Sequence, residues 1–322
     1  MRSRLLPKLS AIAAALLFAG MIAPTSMTPT GPSGNTTKWT TQAQSSSEQR
    51  ETLRYWTPQN MAAVRPMPIT VQETTASPRS APSNYLASPP REMAAGPSMV
   101  AARPVASKWT APGALPNTVG RIYFSSGRSD MSCSGSVVNS PNGGVISTAG
   151  HCCKEPGGAF HTHWEFLPGH NSASEAPLGR WPARQLFTTT GWGLRGDHRG
   201  DACFVAVGTR NGQHIADAVG ANLVSFNAPA GIPVHAFGYP GKLGDGQTLY
   251  YCSGATWTAE RTNVGIDCTM KNGSSGGPYL ADFDGNHGTV VSVVSHGPNG
   301  PEEIGPRFDA SIKAVYDAAG AA

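Results

Sequence analysis

Two short motifs hold the residues of this chain most able to do chemistry together. They are Gly-Ser-Ser-Gly-Gly-Pro at 273–278 and Thr-Ala-Gly-His-Cys at 148–152. A serine hydroxyl is a weak nucleophile at neutral pH, and acyl transfer needs a nearby imidazole to take its proton. Small residues around Ser275 let the backbone turn sharply and aim N–H groups at a developing oxyanion. Ser275 is therefore the candidate nucleophile and His151 the candidate general base, with the N–H groups of Gly273 and Ser275 as the oxyanion hole. Ser/Gly-rich turns are also common on surfaces, and an isolated histidine is more often structural than catalytic. The two motifs in this order outweigh those plainer readings for Ser275 and His151. For the remaining histidines the plainer reading stands.

A base of this kind needs a carboxylate to hold its tautomer and to stabilise the imidazolium. Asp201 opens Asp-Ala-Cys-Phe-Val-Ala-Val, an apolar run with the pattern of a buried strand, 50 residues after His151. Asp197 competes, but its setting in Gly-Asp-His-Arg-Gly reads as a solvated turn.

With these motifs, and with Cys-Ser-Gly-Ser-Val-Val at 133–138, Phe-Leu-Pro-Gly-His at 166–170, Ala-Pro-Leu-Gly-Arg-Trp at 176–181, Phe-Gly-Tyr-Pro at 237–240 and Val-Val-Ser-His-Gly at 293–297, residues 115–320 resemble a secreted bacterial trypsin-like serine peptidase of the chymotrypsin fold, in its glutamyl-endopeptidase-like branch. The resemblance implies an all-β fold of two six-stranded antiparallel barrels, with the site in the cleft between them and a C-terminal helix. It implies peptide-bond hydrolysis through an acyl-enzyme, with Ser295, His296 and Gly297 on the edge strand that receives substrate backbone. His296 stands where a tryptophan is usual in that family. Thr269 lies six residues before Ser275, where trypsins carry the aspartate that selects Lys or Arg. An acidic residue before the scissile bond is the expected preference, held by Thr269, His296 or Arg307, with Met270 and Asn272 completing the pocket. Ser274 has no charge to offer a new N-terminal amine, where animal members commonly have aspartate, so activation through that salt bridge is not expected.

The elements that must position these groups read as strands. Thr118–Phe124, Gly135–Val138, Val145–Thr148, Phe204–Val207, Val234–Gly238, Thr248–Cys252 and Thr289–Val294 are β-branched or aromatic runs separated by Gly, Pro, Asn and Asp. Only Asp309–Ala318 carries a helical period there, through Ile312, Val315 and Tyr316. The barrels are expected over about 113–215 and 216–305, with the division near 210–225.

The rest of the chain has a different composition. Arg2, Arg4 and Lys8 precede an apolar run from Leu9 to Ala19, a secretory signal peptide assigned to residues 1–27 and too short to span a bilayer. Residues 28–112 are rich in Pro, Ser, Thr and Ala and read as a largely disordered propeptide or linker. The resemblance favours a propeptide removed on maturation. The net charge of +4 belongs to this front part: residues 1–110 hold 11 Lys+Arg against 4 Asp+Glu, and residues 111–322 hold 13 against 16. The expected catalytic domain, 113–322, is thus mildly acidic and carries no basic stripe, which argues against a nucleic-acid partner. A protein or peptide substrate, a monomer, an extracellular location and no membrane association after signal removal complete the expectation.

All 6 cysteines lie between 133 and 268, and an even number behind a signal peptide reads as disulfides. The resemblance selects Cys133–Cys152. Cys252 and Cys268 flank a hairpin and pair next, leaving Cys153 with Cys203, although Cys133 could reach Cys153 instead. His161, His163 and His170 alternate as zinc ligands can, but no further ligand stands at a defined spacing, so no metal is assigned. Asp282, Asp284, Glu302 and Glu303 do not match a calcium loop and read as solvated turns. No cofactor is implied. The rival function is a silent binding protein on the same scaffold, and an intact His, Asp and Ser set argues against it.

Overall fold

The computed structural model describes residues 38–71 and 105–322. The expected signal peptide and residues 28–37 and 72–104 of the expected propeptide lie outside them. The N-terminal part forms strand β1 (Trp39–Ala43), helix α1 (Ser46–Tyr55), helix α2 (Pro58–Ala62), and the short strands β2 (Arg65–Pro66) and β3 (Thr70–Val71). Ser45 and Glu48 close a reciprocal capping box on α1, and Pro58 opens α2 behind the Thr57 cap. Residues 39–71 are therefore folded, which corrects the expectation of disorder there. Their apolar anchors, Trp39, Trp56, Met61 and Ile69, are too far apart to show a period, and they are covered by the rest of the protein.

After β4 (Ser107–Lys108), the strands β5 (Val119–Ser126), β6 (Ser129–Val138), β7 (Val145–Thr148), β8 (Thr162–Pro168), β9 (Trp181–Thr189) and β10 (Cys203–Val207) form an antiparallel barrel. Its order is β9-β10-β7-β6-β5-β8, and the β8–β9 pairing closes it. Ile122, Phe124, Val137, Ile146, Phe166, Leu186 and Val205 share the inward face and fill the interior. Each such side chain contributes about 1.5–3 kcal/mol by leaving water.

The second half holds β11 (Leu223–Val224), β12 (Pro233–Gly238), β13 (Tyr250–Ala255), β14 (Trp257–Thr258), β15 (Val264–Asp267), β16 (Pro278–Ala281), β17 (Thr289–Val293), β18 (His296–Gly297) and β19 (Glu302–Gly305). These pair as two sheets, β11-β17-β16-β12-β13-β4 and β14-β15-β19-β18-β3, around a core that includes Val234, Ile266, Tyr279 and Val294. This is the chymotrypsin fold. The C-terminal helix, Ala310–Ala321, starts at an Asp309 cap and runs a turn beyond the expected end. It packs back on the first barrel, with Tyr316 and Phe308 against Phe204 at 5.5 and 5.9 Å between ring centres.

Candidate active site

β7 ends at Thr148, and a tight turn, Gly150–Cys152, carries His151. Disulfides hold both flanks of that turn: Cys133–Cys152 ties it to β6 and Cys153–Cys203 ties it to β10. Asp201 sits just before β10 and is fully buried. Its Oδ1 accepts the His151 backbone N–H at 2.8 Å, and its Oδ2 lies 2.8 Å from His151 Nδ1. Oδ2 also accepts the Ser295 hydroxyl. Gly150 is required here because a Cβ would lie 2.6 Å from Trp192 and 2.9 Å from Asp201 Oδ1. Burial alone would raise the Asp201 carboxyl, but the His151 charge and hydrogen bond, with His198 and Ser295, hold it down at about 2. Asp197 is engaged elsewhere, with Arg199 at 2.6 Å.

Ser275 sits in a loop pinned from several sides. Ser134 N–H donates to its carbonyl at 2.8 Å, and Ser134 Oγ donates to the Gly273 carbonyl at 2.9 Å. Gly273 and Gly276 have φ of +92° and +79°, and a Cβ on Gly276 would lie 2.0 Å from Thr148 Oγ1. The loop can thus approach β7 only with glycine there. Cys152 Sγ lies 3.7 Å from the Ser275 carbonyl, placing the loop beside the histidine turn. Ser275 Oγ and His151 Nε2 are both buried, and among the described residues neither has a hydrogen-bond partner.

The other expected site residues fall in two groups. Ser295 and His296 join the Asp201 side: Ser295 Oγ lies 2.9 Å from His296 Nδ1, and His296 Nε2 lies 2.7 Å from Glu260 Oε1. Burial and the neighbouring His198, whose ring centre is 4.2 Å away, lower the basicity of His296. On the serine side, Thr269 Oγ1 accepts the Ala106 N–H, Asn272 Oδ1 accepts the Ile69 N–H, and Met270 is buried. Gly297 lies on β18, where a Cβ would lie 2.5 Å from the Glu302 carbonyl oxygen. Arg307 donates to the Asn227 carbonyl.

The alternating histidines diverge. His161 meets the His151 carbonyl, His163 meets Ser125, and His170 bridges the Glu175 carbonyl and Gln247.

No protein-family profile matches the chain, and no curated protein sequence is significantly similar to it. Among solved structures, the protease Anisep from Arthrobacter nicotinovorans is 35% identical with a TM-score of 0.61, over 65% of this chain and 98% of that one. A thermostable serine protease, AL20, from an extremophilic microorganism is 32% identical with a TM-score of 0.61, over 64% of this chain and 98% of that one. The chain belongs to the trypsin-like serine proteases. A Glu endopeptidase, 22% identical with a TM-score of 0.55 over 67% of this protease and 97% of its own chain, shares the fold.

Sequence reading missed two residues that the structure sets beside these groups. Glu303, expected in a solvated turn, is fully buried on β19; its Oε1 accepts the Lys271 N–H at 2.7 Å and faces Ser274 Oγ at 3.2 Å. Burial raises its carboxyl, against the pull of the Lys271 N–H. The Glu302–Gly305 strand alternation could have suggested one buried member of the pair. His198, between Asp201 and His296, gave no signal, since Gly-Asp-His-Arg-Gly reads as a loop.

Proposed function

We propose that this serine protease is a secreted endopeptidase, made as a precursor, that works through Ser275, His151 and Asp201. Ser275 Oγ attacks the peptide carbonyl while His151 Nε2 takes its proton, and the Gly273 and Ser275 N–H groups receive the oxyanion. Asp201 holds the imidazole with its Nδ1–H inward and stabilises the imidazolium. His151 then protonates the leaving amine, and water hydrolyses the acyl-enzyme by the same steps in reverse. The observation that carries this reading is the buried His151–Asp201 pair beside a buried Ser275 hydroxyl, with Nε2 and Oγ uncommitted to any other group among the described residues. The basic and apolar start of the chain supports export.

Substrate backbone would pair with Ser295, His296 and Gly297. Of the groups expected to hold an acidic residue before the cut, His296 is committed to Glu260 and Arg307 to the Asn227 carbonyl. Thr269 is left as a neutral contact, and a carboxylate buried without a cation is costly. With Met270 in the pocket, an apolar residue before the scissile bond is favoured over the acidic one implied by the resemblance. A cleavage profile on a peptide library checks this: predominant cuts after Glu or Asp would restore the acidic preference.

Covalent labelling with a fluorophosphonate, followed by peptide mapping, tests the mechanism in the processed enzyme. Label on Ser275 that is lost in His151→Ala is the expected result. A folded, processed enzyme that takes no label would turn the reading toward a silent binding scaffold.

A further inference from the structure

Residues 65–71 cross the candidate site from one half of the protein to the other. β2 pairs with β6, Arg65 opposite Met131 and Pro66 opposite Ser132, and the Met67 N–H donates to the Ser132 carbonyl at 2.8 Å. The Met67 carbonyl then accepts the Gly273 N–H at 3.0 Å. That N–H is the donor assigned above to the oxyanion hole. Ile69 donates its N–H to Asn272 Oδ1 at 3.0 Å and is buried in the apolar cluster that contains Met270. β3 finally lies along β18, Thr70 opposite His296 and Val71 opposite Gly297. One short stretch thus takes an oxyanion donor, Asn272 and the substrate edge.

Two features set this stretch apart from a substrate. Both edge pairings are parallel. A peptide in the antiparallel sense, the more stable per residue, would run through the site the opposite way. The carbonyl at Gly273 also belongs to the Met67–Pro68 bond, whose nitrogen carries a ring carbon where an ordinary amide carries hydrogen.

The anchors lie outside the cleft. β1 pairs with β9 in continuous register, Trp39 opposite Thr189 to Ala43 opposite Gln185. Trp56 is buried and donates its indole N–H to the His163 carbonyl. Tyr55 stacks on the His163 ring at 3.9 Å and donates its hydroxyl to Asp130.

We propose that residues 39–71 are a built-in inhibitor, anchored on the first barrel and threaded backwards through the substrate site with the Met67 carbonyl on the oxyanion donor. This inference rests on the roles given above to Gly273 and Ser275. A cut between residues 71 and 105 would leave the block seated, so activity requires loss of the segment itself.

The test uses the full chain and two independent readouts: fluorophosphonate labelling of Ser275 and hydrogen exchange at residues 65–71. Ile69→Asp attacks the segment from its own side. Gly241→Ala attacks it from the enzyme side, because the three atoms nearest the added Cβ all belong to Pro66, the first its Cγ at 2.1 Å. Slow labelling and protected amides are expected in the parent, with labelling at least about tenfold faster and protection lost in both variants. Equal labelling in all forms that do label, or free exchange at 65–71 in the parent, would overturn the inference. Loss of protection in the variants with no label in any form would keep the segment's seat and count against Ser275 as nucleophile. Pro68→Ala tests the polarity: the peptide bond that follows Met67 should stay intact in this variant, and a cut there would show substrate-like threading.

Discussion

Ser295 Oγ lies 2.5 Å from Asp201 Oδ2, on the same carboxylate oxygen that meets His151 Nδ1 at 2.8 Å. Together with the His151 N–H on Oδ1, this gives Asp201 three donors and no contact with water. Asp201→Asn keeps the size but places an amide donor among them, favouring the wrong imidazole tautomer. Turnover of the processed enzyme is expected to fall by about ten-thousandfold with the fold retained. Asp197→Asn, which loses only the half-exposed Arg199 pair, should stay near parental activity. Steady-state kinetics on both variants checks the assignment, and the reverse pattern would transfer the role to Asp197.

Glu303 supports the serine loop from behind. Glu303→Leu would strand the buried Lys271 N–H and leave the Ser274 hydroxyl only the Lys271 carbonyl, costing about 3 kcal/mol of stability. Glu303→Gln keeps an acceptor and should cost about 1 kcal/mol. Chemical denaturation of the two variants separates these outcomes, and equal losses would mean that the acceptor role is unimportant.

His161 and His170 are both buried, and burial brings each down from 6.5 to about 4, with the Arg121 charge adding to the effect at His170. The unfolded chain therefore takes up protons between those values that the folded protein refuses. Stability should be full above pH 6.5, fall as the pH drops, and level off near 4, by on the order of 3 kcal/mol for each histidine. Denaturant midpoints at pH 7 and pH 5 measure this. His170→Gln should flatten the slope, and an unchanged slope would assign the acid sensitivity to other groups.

The Cys153–Cys203 disulfide closes a stretch of 50 residues, against 19 for Cys133–Cys152 and 16 for Cys252–Cys268. By loop-closure entropy its loss costs about 4 kcal/mol, compared with about 3 kcal/mol for either of the others. Thermal unfolding of the three paired Cys→Ala variants should rank them in that order. A larger loss for Cys252–Cys268 would point to packing rather than chain entropy.

That the Ser275 loop would meet the His151–Asp201 pair was legible in the sequence, because such close approach restricts the neighbours: glycines around the serine, a strand end before the histidine and an apolar run after the aspartate. The strands of the first barrel were legible for a related reason, since Val119–Ser126 and Cys203–Val207 are buried almost throughout. Residues 39–71 were not legible. Trp56 and Met61 are buried against Tyr123 and Leu167 of the barrel, so no periodicity within the segment reveals them. Glu303 was hidden because a charged residue beside Glu302 and Gly305 has the composition of a turn. Its burial depends on Lys271 and Ser274, which lie far away in the chain.

Residues 39–71 leave the ribosome before His151 and well before Ser275. On the proposal above, the stretch that lies against Gly273 belongs to the same chain and is at hand wherever the cleft first closes, so an uncut molecule starts its folded life already blocked.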